Sequence, residues 1–198
     1  MGRKASEKHW HILTMPHFYN FDGFEHKLYI LKHLTFGAKE FCAKEKIYRT
    51  ETYEEWIEYL GHIKSALSET AIEAAVKIRM VQDFVRADDQ DVDLDRLDRE
   101  SLAGLTIGTI RAGSGALSLR DSCNKIIHAT DARLSWEEDQ QDGKTFEYWD
   151  GSYYLTGTRD GQLWEVEIHM ADWCTAMMRF IVAIQHNVDW HRVHKYDE

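Results

Sequence analysis

Four side chains that can act together on a phosphate group lie close together on one predicted helix. They are Arg120, Asp121, Asn124 and His128. Because an α-helix turns about 100° per residue, the four project from the same side of it. The neighbouring side carries apolar residues, so the helix can bury one face and expose the polar one. The buried face comprises Leu119, Cys123, Ile126 and Ile127.

These residue types suit the cleavage of RNA by its own 2′-hydroxyl. That reaction needs a base near the hydroxyl, an acid near the leaving oxygen and a cation against the phosphate. His128 is a proton carrier suited to neutral pH, and Arg120 is a fixed bidentate donor for phosphate oxygens. Asn124 can orient the phosphate or the imidazole. The helix supplies a single histidine, so a second proton carrier has to come from elsewhere.

A structural interpretation of the same residues stays open. Arg120 can form an ion pair with Asp121 or Asp131, while Asn124 and His128 are satisfied polar residues at the rim of a helical core. The two interpretations predict different surroundings for the polar face. A catalytic face opens into a cleft, and a structural face is closed by internal salt bridges.

The elements that position this helix are predicted from apolar periodicity. Apolar residues at helical spacing predict one helix over about 23–46 and another over 171–192. Between 53 and 87 the pattern fits either one long helix or two helices broken near Ser68. Ser118 together with Asp121 is suited to cap the helix that carries Arg120. A single proline, Pro16, also favours a mainly helical chain.

Residues 132–168 have the character of strands. Short aromatic runs alternate there with Asp142-Gly143 and Asp160-Gly161, and Asp-Gly is a strong signal for a hairpin turn. The aromatic residues can stack on bases or a partner, but their alternation with polar residues favours packing against helices. We therefore predict one α+β domain over 1–198, mainly a helical bundle with a small antiparallel β-meander inserted before the C-terminal helix.

The Arg120-Asp121 pair, followed by His128 on the same helix, resembles the HEPN superfamily of helical bundles. Its catalytic members are metal-independent ribonucleases. In that family an arginine, usually followed by Asn, Asp or His, precedes a histidine by four to six residues near the start of a late helix. Here seven residues intervene, which rotates His128 relative to Arg120. The resemblance rests on this short motif and on the order of the helices.

The resemblance implies an RNA-directed enzyme of a toxin or defence type. It also implies a homodimer, because the second proton carrier in that family commonly comes from a second copy. The rival prediction is a non-catalytic module that binds a protein partner or oligomerises, in which exposed meander aromatics control function. Under the first prediction the catalytic residues are Arg120, Asp121, Asn124 and His128.

Composition sets limits on partners and compartment. The net charge of −10 argues against coating nucleic acid electrostatically, although a local basic site remains compatible with it. The three cysteines, Cys42, Cys123 and Cys174, lie in apolar patterns typical of reduced, packed thiols. Residues 1–8 are predicted to be disordered, and no apolar run approaches the length of a membrane span. We expect a cytoplasmic protein with no membrane association.

Two clusters contain residue types that bind metals, but we predict neither a metal nor a cofactor. In the acidic connector predicted over 88–100, five acidic residues fall at the ligand positions of an EF-hand-like loop, but Leu94 replaces its turn glycine. These residues are Asp89, Asp91, Asp93, Asp95 and Glu100. Histidines also gather near both ends, without the spacing typical of zinc sites. They are His9, His11, His17, His186, His191 and His194.

Overall fold

The computed structural model describes residues 21, 23–49, 51–87 and 91–190, and this part of the chain contains five helices and one antiparallel sheet of four strands. The predicted α+β class is confirmed. In chain order the elements are α1 (Phe24–Glu45), α2 (Tyr53–Ala87), α3 (Leu94–Ser101), β1 (Gly108–Ala112), α4 (Leu119–His128), β2 (Asp131–Gln141), β3 (Lys144–Arg159), β4 (Gln162–His169) and α5 (Met170–Asn187).

The helix α2 is continuous, which resolves the choice that the sequence left open. It runs for 35 residues without a break near Ser68. Buried residues recur every three or four positions along its whole length, so one apolar stripe contacts the rest of the protein from end to end. The described helices include none that is both long and apolar enough to cross a bilayer.

The sheet has the strand order β1-β4-β3-β2, and every neighbouring pair is antiparallel. The predicted meander is confirmed as β2, β3 and β4. Asp142 and Asp160 adopt positive φ and are each followed by a glycine with positive φ, as tight hairpin turns require. The edge strand β1 was not predicted, since five residues beside a glycine-rich loop give too short a pattern.

The connector interpretation of 88–100 is wrong from Leu94 onward. Residues 88–90, with the candidate ligand Asp89, lie outside the described part of the chain, but α3 begins at Leu94. Asp93 caps α3 by accepting the amide hydrogen of Arg96 at 2.9 Å. Leu94 and Leu97 are buried one turn apart. Their helical spacing was hidden by the acidic residues around them.

The core is formed by the sheet and the buried faces of the helices, with α1, α2 and α5 contributing most of its apolar residues. Apolar residues of α5 predicted to face it, such as Trp173, Met177 and Phe180, are fully buried. However, α5 ends at Asn187, so the predicted end at 192 is wrong. The three cysteines are buried free thiols, as predicted, and burial raises the pKa of Cys123 to about 12. Residues 1–8 lie outside the described part of the chain.

Candidate functional site

The helix α4 is fixed at its start by two caps. The Ser118 hydroxyl accepts the amide hydrogen of Asp121 at 3.0 Å and donates to the Asp121 carboxylate at 2.7 Å, which confirms the predicted cap. The second cap is Asp98 of α3, whose carboxylate accepts the amide hydrogens of Leu119 and Arg120, both at 3.0 Å. Asp98 is buried, which raises the pKa of its carboxyl. The start of α4 is thus held against α3.

Arg120 points away from the other three predicted site residues and toward α2. Its Nη2 lies 2.6 Å from Oδ1 of Asp83, and its Nη1 donates to Oε1 of Gln82 at 2.9 Å. The predicted pairing with Asp121 or Asp131 is therefore wrong, although an internal ion pair does form. Gln82 is only 1% exposed, so its amide oxygen depends on Arg120.

The remaining polar face of α4 opens into a cavity of about 700 Å³. This α4 cavity has three walls: the helix itself, the loop that precedes it, and the end of the β3–β4 hairpin. Its lining residues are 114–117 of the loop, Asp121, Asn124, Lys125 and His128 of α4, Ile110 of β1, and Thr158, Arg159 and Trp164 of the hairpin.

The α4 residues in the cavity are neighbours along the helix and have few competing contacts. Asp121, Asn124 or Lys125, and His128 follow one another at intervals of three or four residues, about one turn, which places them along one edge of α4. Among the described residues, neither the Asn124 amide nor the His128 ring has a hydrogen-bonding partner. His128 is exposed at the mouth of the cavity. The two side chains are therefore available to a ligand.

Two basic side chains face the cavity beside His128. Lys125 is partly buried, and its Nζ lies 4.1 Å above the ring of Trp164 in a cation–π contact. Burial, together with the nearby charge of Arg159, lowers the pKa of Lys125 below its usual value, while Asp121 acts in the opposite direction. The guanidinium of Arg159 is exposed and has one loose contact, 3.7 Å from Asp160. The site is thus a local basic region in an acidic protein.

The wall formed by Trp164 depends on a glycine in the next strand. Gly157 pairs with Trp164 across β3 and β4. A Cβ atom at Gly157 would lie 2.3 Å from the indole ring and 3.0 Å from the carbonyl oxygen of His128. Only glycine allows the indole to lie across β3 at this point, directly under Lys125. Neither Gly157 nor Trp164 was predicted to form part of the site.

The structure therefore unites three of the four predicted residues and separates the fourth. Asp121, Asn124 and His128 line the cavity, whereas Arg120 does not. Lys125 and Arg159 were missed. Lys125 was detectable from its spacing of three from His128, but Arg159 joins the site only through the hairpin fold.

The other predicted sites contribute little chemistry in the described part of the chain. The meander aromatics mainly pack in the core, as predicted, with Trp149, Tyr153 and Trp164 buried. No group of three or more His, Cys, Asp or Glu side chains is placed to hold a metal among the described residues. Of the six terminal histidines, only His186 lies within the described ranges, and it is exposed.

The geometry of the α4 cavity has to be interpreted without a relative. No protein-family model, curated protein or solved structure matches this chain.

Proposed function

We propose that the α4 cavity binds an RNA strand through a phosphate group and cleaves it without a metal ion. The observation that carries this proposal is the convergence of Lys125 and Arg159 on the cavity lined by His128, in a chain with a net charge of −10. A local basic site in an acidic protein favours a specific anionic ligand over general attraction to polyanions.

The chemistry assigns a role to each side chain. His128 accepts the proton of the 2′-hydroxyl, the 2′-oxygen attacks phosphorus, and the bond from phosphorus to the 5′-oxygen breaks. Lys125 donates a proton to the leaving 5′-oxygen, a task for which its lowered pKa suits it. Arg159 neutralises the charge that develops on the phosphate oxygens. The products are a 2′,3′-cyclic phosphate and a 5′-hydroxyl.

Asn124 and Asp121 support these groups in the proposal. Asn124 precedes His128 by one turn of α4, so its amide can orient the imidazole or the phosphate. Asp121 is held by Ser118 and balances part of the positive charge of the cavity. Lys125 and Arg159 thereby replace Arg120 as the cations that meet the phosphate, since the guanidinium of Arg120 contacts α2.

This arrangement supplies a base, an acid and a cation from one chain. The homodimer and the toxin or defence role implied by the HEPN resemblance stay predictions. Sedimentation velocity tests the first of them independently of any activity. A dimer would not by itself distinguish the catalytic proposal from its rival, a non-catalytic interaction module.

The proposal is tested with a labelled RNA oligonucleotide incubated with the protein in the presence of a chelator. We expect products that end in a 2′,3′-cyclic phosphate, and no cleavage of the same oligonucleotide built from 2′-deoxynucleotides. Lys125→Gln and Arg159→Gln should each reduce the rate by at least about tenfold. Arg133→Gln is the matched control, because Arg133 is an exposed arginine of β2 outside the cavity. Equal rates for all three variants contradict the proposal.

A further inference from the structure

An apolar groove that shares no lining residue with the α4 cavity has no role in the proposed chemistry. It lies between α1 and the first half of α2 and encloses about 730 Å³. We call it the α1–α2 groove, and the lining residues that matter here are Ile30, Gly37 and Phe41 of α1 and Glu55, Glu58 and Tyr59 of α2.

The floor and walls of this groove expose large apolar side chains. Tyr29, Ile30 and Phe41 are 53%, 45% and 50% exposed. Ile30 and Phe41 are eleven residues apart, which corresponds to about 16 Å or three turns of α1. An exposed apolar strip of this length is typical of an interaction site, and its shape suits the apolar face of another helix.

Gly37 lies in the middle of the groove and leaves space that the protein itself does not fill. A glycine inside a helix lowers helix stability relative to alanine. A Cβ atom at Gly37 would meet no other atom within 4 Å, so no packing contact within the described structure requires glycine there. The missing side chain instead deepens the groove between Ile30 and Phe41, where an incoming helix would approach α1 most closely.

The rim of the groove indicates the charge of the occupant. Glu45, Glu55 and Glu58 line it together with His33 and His62, whose Nε2 atom lies 3.6 Å from Oε1 of Glu58, and no lysine or arginine is among the described residues of the lining. Two copies of this chain docked through the groove would bring their acidic rims together, and like charges at an interface are unfavourable. A cationic occupant complements both the rim and the negative charge of the whole chain.

From these observations we infer that the α1–α2 groove binds a basic amphipathic helix of a partner protein. The apolar face of that helix lies against Ile30 and Phe41 with its closest approach at Gly37. Its lysine or arginine side chains contact Glu55 and Glu58 at the rim. This inference is independent of the proposed activity of the α4 cavity.

The probe is a fluorescently labelled model peptide of about 18 residues, with leucine on one helical face and lysine elsewhere. One control peptide has the same composition in scrambled order, and another carries glutamate in place of lysine. We expect anisotropy titrations to give the tightest binding for the amphipathic lysine peptide, with weaker binding as salt is raised above about 0.1 M. The scrambled peptide separates recognition of a helical face from simple charge attraction.

Gly37→Leu is the decisive variant, because it adds a side chain to the middle of the groove at a position where the Cβ atom itself meets no other atom within 4 Å. We expect it to weaken binding of the lysine peptide by at least about tenfold. Gly61→Leu is the matched control: Gly61 is an exposed glycine of α2 that also has open space around it and does not line the groove. Paired Glu55→Gln and Glu58→Gln substitutions should reduce the preference for lysine over glutamate.

Several results would overturn the inference. They are equal binding by the wild type and Gly37→Leu, equal binding of the amphipathic and scrambled peptides, and no binding of the lysine peptide at about 100 μM. A wild-type dimer that Gly37→Leu converts to a monomer would also overturn it, because the occupant would then be a second copy. Circular dichroism establishes that each variant is folded before it is titrated.

Discussion

Replacing Arg120 by alanine separates its structural role from a catalytic one. The substitution removes the only described hydrogen bond to the Gln82 amide oxygen, and Gln82 is 1% exposed. A buried acceptor left unsatisfied costs about 1–3 kcal/mol. The ion pair with Asp83 adds only about 0.2–1 kcal/mol, because the Asp83 side chain is 55% exposed. We expect Arg120→Ala to lower the free energy of unfolding by about 2–3 kcal/mol.

Urea unfolding followed by tryptophan fluorescence measures this loss, with Asp83→Ala as the matched variant. Asp83→Ala removes the exposed ion pairs of Asp83 with Arg120 and Arg79 but leaves the hydrogen bond of Gln82 in place. At about 0.2–1 kcal/mol for each exposed pair, it should cost less than about 2 kcal/mol. The double variant Arg120→Leu with Gln82→Leu should recover most of the stability, since it removes the donor and the acceptor together. In a chain of this size, the loss in Arg120→Ala corresponds to a fall in Tm of about 5–10 °C.

Arg120→Ala should cleave RNA at a rate within a few fold of the wild-type rate, at a temperature where the variant is folded. A fully stable Arg120→Ala protein that has lost cleavage would refute this reasoning. Arg120 would then act on the phosphate, as the HEPN resemblance implies, and its contacts with α2 would be incidental.

Three further predictions concern the groups that shape the α4 cavity. Gly157→Ala should displace the ring of Trp164 and weaken RNA binding, because the new Cβ would lie 2.3 Å from the indole. Near-UV circular dichroism reports the displacement of the ring, and an unchanged spectrum would contradict it. RNA affinity should fall as the pH rises toward the lowered pKa of Lys125, below the ordinary value of 10.5, since a neutral amine does not attract phosphate. Arg159→Gln removes a positive charge that repels the Lys125 ammonium, so the fall in RNA affinity should move to higher pH in the same titration. A fall in affinity at unchanged pH would show that Arg159 does not influence the pKa of Lys125. Asp98→Ala should cost about 1–3 kcal/mol in urea unfolding, because two helix-start amides lose their acceptor; a loss below about 0.5 kcal/mol would show that the cap is dispensable.

Local patterns in the sequence predicted much of the fold. The periodic helices α1 and α2, the Ser118 cap and the Asp-Gly hairpins all depend on neighbours within a few residues. The predictions failed for elements whose structure depends on contacts with distant parts of the chain. The leucines of α3 are buried by other elements, and the strand β1 exists only because it pairs with β4.

In the candidate site, too, local spacing was predictable from the sequence and long-range contacts were not. The spacing of Asn124 and His128 placed both on one edge of α4, and both line the cavity. Spacing alone could not predict that Arg120 contacts Gln82 and Asp83 of α2, because even Asp83, the nearer of the two in the chain, precedes Arg120 by 37 residues. A helical wheel gives the direction of a side chain but not the element that lies opposite it.

The role of His128 is tested by measuring RNA cleavage by the wild type and by His128→Ala, with both proteins incubated with a chelator and shown to be folded by circular dichroism. His62→Ala is the matched control, since His62 is an exposed histidine of α2 outside the α4 cavity. We expect cleavage by the wild type and His62→Ala and none by His128→Ala. Equal cleavage by all three proteins, or none by the concentrated wild type, would contradict the assignment of the α4 cavity as a ribonuclease site.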